Sequence, residues 1–188
     1  MNKPSMYEKV TYADVANMNK PSMYEKATYA DVPDGVKWFF EKIKQTRRGI
    51  YLHGAVGSGK THIAWAMAQQ WIDNGERPPL FWNVSELIRS IKRDFGRHAY
   101  DRDHEEEYIM EHHGLLFLDD LGAENATDFV RDTLYLIINR RYEGKLPVII
   151  TSNLDLGELS DSVGDRIASR IAGMCDMVEL EGGDRRLP

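Results

Sequence analysis

The chain has 188 residues, a formal net charge of −6 and a single cysteine, which suits one domain with a substantial core and excludes an internal disulfide framework. No apolar run is long enough to span a membrane and the N-terminus is polar, so we expect a cytoplasmic protein with no membrane partner. The acidic balance argues against a protein that coats duplex DNA through bulk charge, although it is compatible with a local basic groove.

The chain opens with a short segment that occurs twice, which we call the duplicated N-terminal arm (residues 1–32). Residues 1–15 and 18–32 are identical except at Val10 and Ala27. The segment is too short for stacked solenoid repeats, so a duplicated start region or a cloning scar is the simplest interpretation, and an arm that docks on a neighbouring subunit is the alternative. Because only the second copy runs directly into the domain, we expect it to pack and the first copy to be loosely held.

The domain, residues 33–188, begins with two apolar elements that lead to a glycine-rich loop. An amphipathic helix is predicted over residues 34–44 and a strand over residues 50–52. The loop GAVGSGKT, residues 54–61, follows, and a helical pattern over residues 63–71 comes after it. The loop matches G-x-x-x-x-G-K-[ST] in the strand–loop–helix context where backbone N–H groups converge on a phosphate.

The motif predicts a separate role in nucleotide binding for each of its last two residues. Lys60 is expected to reach the β- and γ-phosphates of ATP, and Thr61 is expected to offer its hydroxyl to Mg²⁺. The alternative is a glycine-rich turn that matches by accident, but the strand before it and the helix after it favour nucleotide binding. The predicted residues for ATP or ADP are Gly54, Ala55, Val56, Gly57, Ser58, Gly59, Lys60, Thr61 and His62.

Basic residues cluster on the helix after the second predicted strand. That strand covers residues 80–84, and Ser85 opens a helix that runs to about Phe95. Its positive charges are either a solvated helix face or a track for the phosphates of single-stranded DNA. The basic residues are Arg89, Lys92, Arg93 and, just beyond the helix, Arg97.

Two aspartates end the next apolar run, LLFLDD, at residues 115–120. Four consecutive apolar residues predict a central strand covered on both faces, and ligands of open α/β sheets bind at the carboxyl ends of such strands. Asp119 suits coordination of Mg²⁺ through water, and Asp120 suits orienting or deprotonating the water that attacks a γ-phosphate. A simple acidic turn is the alternative, but the phosphate loop earlier in the chain favours the catalytic interpretation.

A long helix and another buried strand follow. The helix is predicted over residues 126–142, and Arg140 and Arg141 near its C-terminus complement the helix dipole, which is enough to explain both. The strand over residues 147–151 delivers Ser152 and Asn153 to the same edge as the two aspartates. Asn153 there is either a sensor of the γ-phosphate or an ordinary turn residue, and the direction of the strand favours the sensor.

The last predicted helix, residues 164–171, carries Arg166 and Arg170. These arginines are four residues apart and therefore share a helix face. They are either a solvated surface pair or, if subunits stack head to tail, the source of a positive charge for a neighbour's γ-phosphate. A final strand is predicted over residues 177–180.

Four motifs in this order resemble one protein family. The segments GAVGSGKTHIA, LLFLDDLGAE, INRRYEGKLPVIITSN and GDRIASRIAGMCDMVELEGGDRR are similar to the ATPase domain of the DnaC/DnaI-type bacterial helicase loaders, which are AAA+ proteins. The resemblance runs from about residue 30 to residue 188. It implies an α/β P-loop NTPase fold of the AAA+ type, a three-layer αβα sandwich with a five-stranded parallel sheet and no helical lid domain.

The resemblance also implies a role for each motif. The glycine-rich loop is similar to a Walker A motif, the aspartate pair to a Walker B motif, and Asn153 to a sensor-1 residue. Arg170 matches the arginine finger, and Arg185 or Arg186 lies where a C-terminal sensor arginine is found. The expected catalytic residues are Asp120, Asn153 and Arg170, and the expected Mg²⁺ ligands are Thr61 and Asp119.

The function implied by the resemblance is that of a replicative helicase loader. Such a protein binds and slowly hydrolyses ATP, assembles head to tail, binds single-stranded DNA and contacts a hexameric replicative helicase. Full-length members carry an N-terminal helicase-binding domain, whereas here only the short arm precedes the ATPase core. We therefore expect either a truncated chain or a phage-like or mobile-element protein that engages its partner differently, and the helicase partner is the weakest expectation. An IstB-type transposition regulator that binds duplex DNA uses the same motifs and is the alternative. A metabolite kinase fits less well, since no acceptor pocket is evident.

Overall fold

A sheet of five parallel strands lies at the centre of the computed structural model, which describes residues 21–95 and 105–182. In chain order the strands are β1 (Gly49–His53), β2 (Leu80–Asn83), β3 (Leu116–Asp119), β4 (Val148–Ser152) and β5 (Cys175–Glu179). In space their order is β2-β3-β4-β1-β5, and every neighbouring pair is parallel. The predicted five-stranded parallel sheet is therefore confirmed, and β1, β3 and β4 end side by side at one edge.

The described residues form seven α-helices, of which the first precedes β1 and the other six connect the strands. They are α1 (Asp34–Thr46), α2 (Lys60–Asp73), α3 (Val84–Phe95), α4 (Glu105–Glu111), α5 (Asp128–Glu143), α6 (Leu156–Val163) and α7 (Asp165–Met174). None of these helices combines the length and the apolar character needed to cross a bilayer.

The helices form a layer on each face of the sheet because side chains alternate along the strands. In β1, Ile50 and Leu52 pack with α1 and α2 on one face, whereas Tyr51 packs with α3, α5 and α7 on the other. All residues of β3 and β4 are buried, as expected for strands covered on both sides. The three-layer αβα arrangement predicted from the sequence is confirmed.

The described part of the arm, from Pro21 onward, packs on the face that carries α1 and α2. It forms two short 3₁₀ helices, Ser22–Tyr24 and Tyr29–Asp31. Ala27 and Val32 are buried with side chains of α1 and α2, and Ala27 is the position at which the two copies differ. Residues 21–32 of the second copy pack as expected, whereas the first copy and residues 18–20 lie outside the described residues.

Several element boundaries differ from the prediction. Helix α6 was not predicted, although Asp155 and Glu158 form a capping box in which each side chain accepts a hydrogen bond from the other residue's backbone N–H. Strand β5 begins at Cys175 instead of Met177, because the strand follows α7 without a loop.

The environment of Arg141 contradicts the interpretation that this residue only complements the helix dipole. Its side chain is only 1% exposed, and its guanidinium donates to the backbone carbonyls of His112 (2.6 Å), Gly114 and Pro147. These carbonyls belong to the turn between α4 and β3 and to the entry of β4. Arg141 therefore joins the two separate backbone segments that lead into β3 and β4.

His112 in the same turn should make the stability of the fold depend on pH. Burial, and secondly the charge of Arg141, lower the pKa of its imidazole to about 4, whereas an unfolded histidine has a pKa of about 6.5. The unfolded chain thus takes up the proton first, so stability that is complete above about pH 6.5 declines as the pH falls towards 4. Because the side chain is partly exposed, we expect a loss of about 1–2 kcal/mol.

Urea unfolding of the natural protein and of a His112→Gln variant at pH 7 and pH 4.5 tests this expectation. The Gln side chain keeps a donor for the carbonyl oxygen of Leu115, which lies 3.2 Å from Nε2 of His112. The variant should lose less stability between the two pH values than the natural protein. A His113→Gln variant, changed at an exposed neighbouring position, is the control and should behave like the natural protein. Equal losses in all three proteins would contradict the assignment.

Candidate functional site

The glycine-rich loop between β1 and α2 has a backbone that requires glycine. Gly54, Gly57 and Gly59 have φ values of 148°, 82° and 97°, which lie in the region that L-residues with a side chain rarely adopt. A Cβ atom at Gly54 would also lie 2.5 Å from the carbonyl oxygen of Leu180. The loop therefore curls tightly into the N-terminus of α2, where unpaired N–H groups favour an anion.

Lys60 is the first residue of α2 and lies across the loop. Its side chain is 7% exposed, and its ammonium donates to the carbonyl oxygens of Gly54 and Ala55, both at 2.8 Å. The hydroxyl oxygen of Ser58 lies 3.4 Å from the same nitrogen. The curled backbone thus holds a positive charge close to the helix N-terminus, where two features that attract phosphate coincide.

Asp119 at the end of β3 is held by two threonine hydroxyls. Thr61 donates to its carboxylate at 3.0 Å, and Thr151 of β4 donates at 2.7 Å. The carboxyl group is buried, and this burial raises its pKa although both hydrogen bonds act in the opposite direction. Carboxylate and hydroxyl oxygens are the ligands that Mg²⁺ prefers, so the side chains predicted to hold the ion, Thr61 and Asp119, lie together and fit it.

Asp120 and Asn153 lie next to this group. The backbone of Asp120 has a φ of 63°, and its N–H donates to the hydroxyl oxygen of Thr151 at 2.9 Å. The side-chain amide of Asn153 donates to a carboxylate oxygen of Asp120 at 3.1 Å. The structure therefore brings the carboxylate predicted to act on the attacking water and the predicted sensor into direct contact.

Two polar residues of β4 differ from what the sequence suggested. Ser152 ends β4 at the same edge as the aspartates, as expected, but its buried hydroxyl donates to the carbonyl oxygen of Leu121 at 2.7 Å and accepts from the N–H of Leu154. Ser152 therefore supports the loop backbone and is not among the residues that line the cavity. Thr151 was missed, although a hydroxyl at the end of an otherwise apolar buried strand signals that it needs a polar partner.

A cavity of about 590 Å³ lies over the phosphate loop and the aspartates. Six of the nine predicted nucleotide-binding residues line it, while Gly54, Ala55 and Ser58 lie behind the ammonium of Lys60. The sequence did not predict that Asn83, at the end of β2, and two arm residues would line it as well. The lining residues are Met23, Tyr24, Val56, Gly57, Gly59, Lys60, Thr61, His62, Asn83, Asp119, Asp120, Thr151 and Asn153.

His62, which follows the phosphate loop motif, connects the loop to the arm. A ring nitrogen of His62 lies 3.0 Å from a carboxylate oxygen of Asp31. This contact, with the hydrogen bonds from Thr28, lowers the pKa of Asp31 to about 2. The imidazole therefore faces the arm, and the arm closes one side of the cavity.

Arg170 is not among the residues that line the cavity. It lies on α7, and its guanidinium donates to side chains of α5. Among the basic residues predicted to follow DNA, Arg89 and Lys92 are exposed on α3. Arg97, Arg185 and Arg186 lie outside the described residues.

Comparison with known proteins agrees with this geometry. Residues 40–188 match the family model described as IstB-like ATP binding protein. An uncharacterized protein of Bacillus subtilis, YqaM, is 31% identical over 153 residues, which cover 78% of this chain and 47% of that protein. The replicative helicase loader DnaI of Bacillus subtilis is 29% identical over 155 residues, covering 75% of this chain and 48% of the loader.

The fold is also found among solved structures. The crystal structure of DnaI superimposes with a TM-score of 0.73 at 28% identity and covers 88% of this chain and 94% of that one. The AAA+ fold expected from the motifs is thereby confirmed. The chain spans about half the length of the curated relatives it matches. The protein belongs to the family of IstB-like ATP-binding proteins, and its relatives include replicative helicase loaders.

Proposed function

We propose that the protein is an ATP-hydrolysing switch that assembles head to tail, binds single-stranded DNA and helps to place a hexameric replicative helicase. One observation carries this proposal: the hydrogen-bonded group formed by Thr61, Asp119, Thr151, Asp120 and Asn153 faces the phosphate loop across a single cavity. This group supplies metal ligands, a carboxylate that can act as a base, and an amide, all beside a phosphate site.

ATP would bind with its phosphates in the curled loop. Lys60 would turn from the loop carbonyls to the β- and γ-phosphates, and the N–H groups at the start of α2 would add to the attraction. Thr61 and Asp119 would hold Mg²⁺, which neutralises charge on the phosphates when bound. Met23 and Tyr24 give the cavity an apolar side that suits the base of the nucleotide.

Asp120 is the group we assign to the attacking water. Its carboxylate lines the cavity, and Asn153 restrains it through one carboxylate oxygen, which leaves the other oxygen to orient the water and accept its proton. Because Asn153 also lines the cavity, its amide can contact the γ-phosphate or the water. Loss of the γ-phosphate would then change the contacts of Asn153, which directly follows β4. This change would let Asn153 act as the sensor of the switch.

The site lacks a cationic side chain on the far side of the γ-phosphate from Lys60 within the described lining residues. Arg170 is not among those lining residues and its guanidinium contacts α5, so we assign it to the site of a neighbouring subunit, which head-to-tail assembly would bring within reach. The exposed residues Arg89 and Lys92 on α3 support a path for single-stranded DNA, since α3 starts immediately after Asn83 at the cavity. The proposal of a helicase partner rests on the similarity to the helicase loader DnaI.

ATP turnover measured against protein concentration tests the shared site. We expect the specific activity to rise with concentration, because a subunit gains its neighbour's Arg170 only on assembly. Arg170→Ala should bind ATP normally but turn it over slowly, and Lys60→Ala should lose nucleotide affinity. A mixture of the two inactive variants should recover activity, since one supplies the pocket and the other the arginine. A specific activity independent of concentration, or normal turnover by Arg170→Ala, would overturn the proposal.

The choice of DNA separates this function from that of a transposition regulator of the IstB type, whose name the matched family model shares. Binding of single-stranded and duplex DNA should be compared at the same stated salt concentration, because phosphate contacts weaken steeply with salt. We expect tighter binding of the single strand, given the net charge of −6. Preference for duplex DNA would favour the regulator.

A further inference from the structure

The side chain of Arg170 is held at a defined angle by α5. Its Nε donates to the side-chain carbonyl oxygen of Asn139, and one terminal nitrogen donates to the hydroxyl oxygen of Tyr135 at 2.9 Å. Asn139 and Tyr135 are four residues apart and so lie on the same face of α5. Two hydrogen bonds from one planar group to one helix face fix both the position and the tilt of that group.

Aromatic rings restrict the guanidinium further. Its central carbon lies 4.8 Å from the ring centroid of Tyr135 and 5.8 Å from that of Tyr142. The guanidinium of Arg166 packs on the same Tyr135 ring, at 4.1 Å. The ring of Tyr135 therefore contacts two cations, and movement of Arg170 towards Arg166 is opposed by their like charge.

The hydrogen bonds leave part of Arg170 available. A guanidinium has five N–H donors, of which Asn139 and Tyr135 take one each, and the backbone carbonyl of Arg166 takes a third at a long 3.4 Å. The two remaining donors belong to the two terminal nitrogens, which form the outer edge of the fork. That edge is the one arginine uses for a bidentate contact with a phosphate.

We propose that Tyr135 and Asn139 are positioning residues, which hold Arg170 in the orientation it needs to reach the γ-phosphate bound by a neighbouring subunit. The proposal rests on the proposed function, because it assumes that Arg170 acts in the neighbour's site. A free arginine side chain samples many rotamers, so fixing it before assembly removes an entropic cost from the shared site. The two α5 residues thus act on turnover without touching the nucleotide.

Mixed assemblies test the proposal, because they separate the subunit that donates Arg170 from the subunit that hydrolyses ATP. The donor carries Lys60→Ala, and the acceptor carries Arg170→Ala. Tyr135→Phe or Asn139→Ala is then added to one partner at a time. In the donor, either change should lower the turnover of the mixture by about 3–10-fold, as expected for the loss of one orienting hydrogen bond. In the acceptor, the same change should have no effect.

Asp132→Asn, at an exposed position on α5, is the matched control and should leave turnover unchanged in either partner. ATP affinity should be unchanged in every acceptor. Tyr135→Phe removes only an oxygen atom, so it serves even if Asn139→Ala does not fold. Equal losses in donor and acceptor, or donors as active as the Asp132→Asn control, would overturn the positioning role. Normal turnover by Arg170→Ala alone would instead overturn the proposed function.

Discussion

Replacing Asp120 with asparagine should lower the rate of ATP hydrolysis by about 10²–10³-fold while leaving ATP affinity almost unchanged. Asparagine has nearly the same shape but cannot accept a proton from the attacking water at neutral pH. The local backbone should survive the change, because asparagine tolerates the φ of 63° better than most residues. The bond from the backbone N–H of residue 120 to Thr151 does not involve the side chain at all.

Single-turnover hydrolysis and equilibrium binding of ATP with Mg²⁺ measure the two effects separately. Asp119→Asn is the matched comparison, since it is the adjacent carboxylate and bonds to Thr61 and Thr151. That change should weaken the dependence of binding on Mg²⁺ as well as slow the reaction. If Asp120→Asn hydrolyses ATP within threefold of the natural rate, Asp120 does not act on the water and another general base must be sought.

The sequence predicted those parts of the fold that depend on local patterns. The apolar runs before the phosphate loop and before Asp119 became β1 and β3, because buried parallel strands need continuous apolar residues. Helix α6 was not predicted because its eight residues show little helical periodicity. Its sequence signal was the capping pair Asp155 and Glu158 at its start.

The site was predicted as far as topology determines it. Parallel strands β1, β3 and β4 end at one edge, so the phosphate loop, the aspartates and Asn153 had to meet there. The role of Thr151 depends on side-chain contacts across two strands, and the position of Tyr24 in the cavity depends on the packing of the arm. Such contacts between distant segments leave no local pattern in the sequence.

The interpretation of Arg141 failed for a related reason. An arginine near the end of a helix usually faces solvent, and only the tertiary structure places the turn at His112 and the entry of β4 around it. Its three carbonyl partners come from segments that no single element connects. A residue that joins such segments is expected to contribute more to stability than its position on a helix suggests.

Arg141→Leu should therefore destabilise the fold by about 2–4 kcal/mol, since the carbonyl oxygens of His112 and Gly114 lose the donor that Arg141 supplies and that of Pro147 keeps only the N–H of Leu116. Arg141→Lys should lose most of the same amount, because one ammonium cannot reach carbonyls that a planar fork bridges. Arg140→Leu is the matched control: that side chain is exposed and makes one bond of 3.3 Å to the carbonyl oxygen of Met110, so we expect a loss of less than about 1 kcal/mol. Urea unfolding followed by circular dichroism measures all three. Equal losses for Arg140→Leu and Arg141→Leu would mean that the buried guanidinium does not hold the two segments together.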